Sequence, residues 1–216
     1  MNLSPLLPLY ANTPHPLSIL NHSKEPWAVS IAVILAGHCT DKAVNKVLPG
    51  FLAAFPTPQS LLQNPNKDRM VELLPGISHS GNKSDYILGV AKHLTENNGN
   101  FENSIEAITK INGIGRKTGS IVLHYCYGNT EGFPLDTHAL RVLKRLGWYN
   151  TNNPKSLEKA LLKDYAPELR QPTHMALTLH GRTVCTASKP NCQACPLKPA
   201  CKEGSTLPTT AASHVE

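Results

Sequence analysis

The chain has 216 residues, a formal charge of +6 and a pI near 9.0, enough length for one sizeable core or two small ones. The composition offers no membrane span, and a modest positive excess is compatible with nucleic acid without requiring it. The apolar start, Met1–Tyr10, lacks a basic leader and is broken by Pro5 and Pro8. This argues against a secreted disulfide module and for an intracellular protein, cytoplasmic or nucleoid-associated if bacterial.

In chain order the pattern predicts an all-α protein. Pro26 suits the first position of an apolar helix from Trp27 to about Gly37. Thr40 is placed to cap a helix from Asp41 to about Phe55, which Pro49 should kink or end early. Further helical patterns cover 82–97, 103–110, 116–127, 137–146, 156–165 and 172–180, with no sustained strand-type alternation. Clusters of Gly, Asn and Pro at 97–100, 128–134 and 150–154 mark loops. The proline-rich N-terminal stretch predicts no regular helix, and the tail from about 205 predicts disorder.

Between two of these helices lies Ile111–Asn112–Gly113–Ile114–Gly115–Arg116–Lys117. A glycine turn that opens a helix presents free N–H groups, which suits a phosphate oxygen. Lys117, in the first turn, is either a solvated phosphate contact or a nucleophilic amine able to form a Schiff base. Asp136, in Leu135–Asp136–Thr137–His138, is placed as the N-cap of the next helix. Charge concentrates here. Residues 110 to 150 hold Lys110, Arg116, Lys117, Arg141, Lys144 and Arg145 against Glu131 and Asp136, six cations against two acids. That clustering predicts a footprint for a polyanion.

Near the C-terminus Cys185, Cys192, Cys195 and Cys201 follow the spacing C-x6-C-x2-C-x5-C, stiffened by Pro190, Pro196 and Pro199. Four thiolates so close together can hold one [4Fe–4S] cluster or one zinc ion. A single C-x2-C pair, where zinc favours two, tilts the reading toward iron and sulfur. Cys39 and Cys126 lie far away and read as small core fillers.

These motifs together resemble the endonuclease III family of helix-hairpin-helix DNA glycosylases. Thr13–Pro14–His15–Pro16, Leu35–Ala36–Gly37–His38–Cys39–Thr40–Asp41, the hairpin, Asp136–Thr137–His138, Leu179–His180–Gly181–Arg182 and the cysteine loop occur in the family's order. The resemblance implies two helical domains with a DNA cleft between them. One is a six-helix barrel over 23–134. The other combines 1–22 with 135–216 and carries a [4Fe–4S] cluster on the four cysteines.

It further implies a monomer acting on double-stranded DNA with a damaged base or abasic site, away from membranes. Lys117 would be the Schiff-base nucleophile and Asp136 the carboxylate that stabilises charge on the sugar. The lysine makes this the bifunctional glycosylase and AP lyase reading, for oxidised pyrimidines. The same chemistry on an ultraviolet photoproduct or a mismatched base is the alternative, with a non-catalytic DNA-binding iron–sulfur protein as the third. Gly113, Gly115 and Arg116 would contact the DNA backbone, as would Lys189 of the cysteine loop.

Four places depart from the family pattern. His38 stands where glutamine is usual, in the loop that fills the hole left by a flipped base. The loop Gly76–Lys83 is longer than usual, with Ile77 as the expected apolar wedge and His79 as its rival. Asn112 replaces a proline of the hairpin, and the loop from Gly128 to Asp136 is extended.

Overall fold

The computed structural model describes residues 2–204, so the disordered tail expected from about 205 lies outside the described residues. Those residues are helical, with no strand among them. In chain order the α-helices are α1 (Leu7–Tyr10), α2 (Pro26–Ala36), α3 (Asp41–Ala54), α4 (Pro58–Gln63), α5 (Lys67–Glu72) and α6 (Ser80–Glu96). They continue with α7 (Ile105–Ile108), α8 (Arg116–Tyr127), α9 (Thr137–Leu146), α10 (Pro154–Asp164) and α11 (Pro167–Thr183).

The chain divides into two compact units, Thr13–Pro134 and Met1–Asn12 with the stretch from Leu135 onward. Residues 13–22, expected in the second unit, cluster with the first. Leu17 and Leu20 are buried in its core, and the Asn45 side chain donates to the Pro16 carbonyl at 2.8 Å. The middle of this hairpin unit is α2, buried along its length from Trp27 to Leu35, as an all-round apolar helix must be. Glu25 caps it by accepting from the backbone N–H groups of Trp27 and Ala28. Helices α3, α6 and α8 pack against α2.

In the second unit, the thiol unit, α9 packs on α11, and Leu3 and Leu6 from the start of the chain are fully buried. Here the expected absence of N-terminal helix is corrected. A 3₁₀ turn, Ser4–Leu6, runs into α1, because Pro5 and Pro8 fall at first-turn positions where no donor is lost. Helix α3 likewise runs unbroken through Pro49, held by the buried face Val44, Val47, Leu48 and Phe51. Pro172 lies inside α11, which starts earlier at Pro167. Helices α4 and α5, six residues each, have no counterpart in the sequence pattern. Caps define them, Thr57 with Ser60 in a reciprocal box and Asn66 accepting from Arg69.

Candidate functional site

The hairpin turn is set by Gly113 and Ile114. Gly113 has φ +86, and a Cβ there would run into the Tyr86 ring, so both backbone and space demand glycine. Ile114 is buried and plugs the turn into the core, its N–H on the Ile111 carbonyl at 3.0 Å. Gly115 differs from Gly113. Its φ is ordinary, and a Cβ would meet nothing within 4 Å. As N-cap of α8 it offers no side-chain cap to the helix N-terminus, leaving that end open to an outside acceptor. Arg116 and Lys117 are both exposed at this end, in the first turn of α8.

Two histidine-bearing turns lie in the same unit. His38, after α2, and His79, the N-cap of α6, both have left-handed backbone with φ +56 and +55. Both are exposed, with ring centroids 6.2 Å apart at an interplanar angle of 78°. Ile77, expected as the apolar wedge, is instead 5 % exposed and packed in the core. Its N–H bonds to the Leu74 carbonyl, which turns the side chain into the core and leaves Ser78 and His79 outside.

Lys83 in the first turn of α6 is a buried lysine. Its Nζ donates to the carbonyls of Leu35 (2.8 Å) and Gly37 and to the Cys39 sulfur (3.3 Å). Burial raises the Cys39 thiol, but the bonds from Ser78 and Lys83 outweigh it and bring it below its usual value. Cys39, read from the sequence as a small core filler, does pack partly buried against the core, and its sulfur accepts these bonds as well. Cys126 fits that reading better, its thiol pushed up to about 12 by burial and then by the charge of Glu25.

In the thiol unit Asp136 caps α9, as expected. Its Oδ1 accepts the Ala139 N–H at 2.7 Å, and its Oδ2 accepts the Thr178 hydroxyl at 3.1 Å. Asp136 is 8 % exposed. Both carboxylate oxygens are thus held, an arrangement suited to the ionised, acceptor-only form. Thr178 was missed by the sequence reading. Its only signal is nearness to the Leu179–His180–Gly181–Arg182 motif, and the partner lies 42 positions away.

The opposite end of α9 holds the cysteine loop. Arg141 Nε donates to the Cys185 carbonyl (3.1 Å) and Nη2 to the Gly181 carbonyl. Arg145 donates to the carbonyls of Thr186 (2.6 Å) and Ala187 (2.9 Å) and lies 3.4 Å from the Cys185 sulfur. Two cations assigned to a polyanion footprint are therefore spent inside the unit. The end of the loop returns to cap the helix, with Lys202 and Glu203 N–H groups on the Leu146 and Arg145 carbonyls, both at 3.1 Å.

Cys185, Cys192, Cys195 and Cys201 line one pocket and form no disulfide. Burial pushes the Cys195 thiol up, opposed by a bond from the Leu197 N–H and reinforced by the neighbouring Cys185, Cys201 and Cys192. His180, which burial holds below the ordinary histidine value, places Nε2 at 3.4 Å from the Cys195 sulfur and Nδ1 at 3.2 Å from the Tyr10 hydroxyl. Among the described residues no three His, Cys, Asp or Glu side chains are close enough to share a single metal ion. Four thiols lining one pocket are a donor set of the kind that holds a polynuclear cluster or a zinc ion. Lys189 is exposed on this loop, its carbonyl accepting from Thr186.

Residues 31–167 match the family model described as HhH-GPD superfamily base excision DNA repair protein. Endonuclease III of Rickettsia conorii is 31% identical over 191 residues, covering 88% of this chain and 90% of the relative. Endonuclease III of Escherichia coli K12 is 32% identical over 195 residues, covering 90% and 91%. Among solved structures, a trapped endonuclease III–DNA covalent intermediate, an estranged-adenine complex, superposes with TM-score 0.83 at 29% identity. The match covers 94% of this chain and 93% of that one. A thermostable thymine-DNA glycosylase shares the fold at TM-score 0.84 and 19% identity, covering 94% and 95%.

Proposed function

The chain belongs to the HhH-GPD superfamily of base excision DNA repair proteins, its endonuclease III relatives make it a DNA glycosylase and AP lyase, and from that premise we propose that it removes oxidised pyrimidines. The observation that carries the reading is an exposed lysine, Lys117, in the first turn of a helix whose glycine N-cap leaves the helix end open. No helix among the described residues is long and apolar enough to cross a membrane.

In the proposed reaction the damaged nucleotide leaves the base stack, since its C1′ is unreachable within it. The Lys117 amine bonds to C1′ as the glycosidic bond breaks and the base departs with the bonding pair. Asp136, held by Ala139 and Thr178, balances the positive charge developing on the sugar and assists proton transfer. Loss of a proton from the amine nitrogen and opening of the sugar ring give an imine that acidifies the C2′ proton. Removal of that proton expels the 3′ phosphate, and water then frees the lysine. The open N-terminus of α8 with Gly113, Gly115, Arg116 and exposed Lys189 would grip phosphates without reading sequence. His38 and His79 would meet the duplex where the nucleotide has left, a role closed to buried Ile77.

A [4Fe–4S] cluster would be held by Cys185, Cys192, Cys195 and Cys201, where its iron would relieve the thiolate repulsion in the pocket and pin the loop. The protein would act as a monomer on double-stranded DNA.

Borohydride trapping tests the reading on a thymine glycol duplex and an abasic-site duplex, with wild type and Lys117→Ala. Lysine-dependent adducts with both substrates are expected. Trapping at the abasic site alone would overturn the oxidised-pyrimidine assignment, and trapping that survives Lys117→Ala would remove Lys117 from the mechanism.

A further inference from the structure

One buried side chain joins the two histidine turns. Lys83 is 5 % exposed, and its three N–H donors are spent on the Leu35 and Gly37 carbonyls and the Cys39 sulfur. Gly37 and Cys39 flank His38, so the lysine clamps the backbone on both sides of that residue. The sulfur is also shared with the second turn. The Ser78 N–H donates to it at 3.2 Å, while the Ser78 hydroxyl donates to the His38 carbonyl at 3.1 Å. Ser78 directly precedes His79. Left-handed backbone is unusual for residues other than glycine and persists where surroundings impose it. Here two such residues, with rings edge to face, are fixed by one network around a single sulfur.

A buried lysine is a costly way to close a helix end, because water or a backbone N–H caps carbonyls equally well. What it adds is rigidity in two exposed imidazoles whose nitrogens can hydrogen-bond a base edge. We infer that Lys83 is a positioning residue for recognition of the base opposite the lesion, holding His38 and His79 as one fixed pair through Cys39 and Ser78. The inference rests on the glycosylase reading above.

The test compares wild type, Lys83→Met, Lys83→Arg and Ser78→Ala. Single-turnover cleavage is measured at an abasic site opposite each of the four bases and at the same site in single-stranded DNA, which has no opposing base. A second readout needs no chemistry. In a Lys117→Ala background, the fluorescence of 2-aminopurine opposite the abasic site reports how the opposing base is held.

Lys83→Met and Ser78→Ala should compress the spread of rates among opposing bases by roughly fivefold, the size of one lost hydrogen bond. Single-strand cleavage should be unchanged, and Lys83→Arg should restore much of the spread. An unchanged spread in both variants, no spread in wild type, or parallel loss on single strands would each overturn the inference. If Lys83→Met fails to fold, exposed Ser78→Ala decides it alone. If wild type cleaves nothing, the AP lyase half of the reading fails. The fluorescence then decides for Lys83 if Ser78→Ala alters it, and against if it does not.

Discussion

Thr178 illustrates what one hydroxyl does when its partner is a buried carboxylate. Thr178→Val keeps the shape and removes the donor to Asp136, and a hydrogen bond to a charged group is worth about 1.5–3 kcal/mol. The single-turnover rate should fall by at least about tenfold, the melting temperature should drop by several degrees, and Thr178→Ser should recover both. A rate unaffected by valine would free Asp136 from dependence on this contact. Gly113→Ala tests the hairpin turn, where positive φ and the Tyr86 ring both oppose a side chain. A loss of about 2 kcal/mol or more in urea unfolding is expected, against about 0.5 kcal/mol for Gly115→Ala, which has open space and ordinary φ. Equal losses would contradict the distinction. At this scale the placement of Lys117 in a first turn, of Asp136 as an N-cap and of four cysteines around one pocket was legible, because each belongs to a short run whose spacing carries meaning. Thr178 and Lys83 were not, since each acts on residues more than 40 positions away. Ile77 misled because an apolar residue in an exposed loop and one folded back into the core look alike in sequence.

Helix α9 links the thiol unit's candidate groups on ten residues, about 15 Å of axis. Asp136 caps one end, and the cysteine loop is tied to the other by Arg141, Arg145 and the returning N–H groups of Lys202 and Glu203. Arg145→Met should therefore lower iron bound per chain and visible absorbance, measured on protein prepared without oxygen. Full iron content in that variant would show that the four thiols suffice. Helix α8 supplies a pH test. Burial holds His124 below the ordinary histidine value of 6.5, so the unfolded chain takes up its proton more readily than the folded one. Stability is full above about pH 6.5 and declines as pH falls from there toward the folded value. His124→Phe should lose less stability than wild type between roughly pH 7.5 and 5.5, and equal losses would exclude this ring as a contributor. Long helices such as α8 and α9 were readable from period and caps. The six-residue α4 and α5 were not, being too short for periodicity and held by local capping bonds.

Across the molecule, charge composition gave the sign of the surface but not its use. Arg141 and Arg145 contribute to the positive stretch at 110–150, yet both guanidinium groups are committed to carbonyls of their own unit. Arg116 and Lys117 are exposed in the first turn of α8, and the phosphate grip proposed for that turn has a salt signature. Affinity for an abasic duplex should fall linearly in log–log form as salt rises, and Arg116→Gln should reduce that slope by about 1. Binding indifferent to ionic strength would remove the phosphate contacts from the proposal.

The thiol unit is assembled from the two ends of the described chain, and this has a consequence for its biogenesis. Leu3 and Leu6 are completely buried there, and the Tyr10 hydroxyl reaches His180 and Thr183. On the ribosome these first residues emerge long before their partners, whereas the hairpin unit, Thr13–Pro134, is contiguous and free to fold as it appears. Until α11 is synthesised, the apolar N-terminal turn has nothing to cover it. The last cysteine of the loop, Cys201, emerges later still. A nascent chain stalled between the two events would combine a finished hairpin unit with an exposed apolar N-terminal turn, making late translation its most aggregation-prone interval.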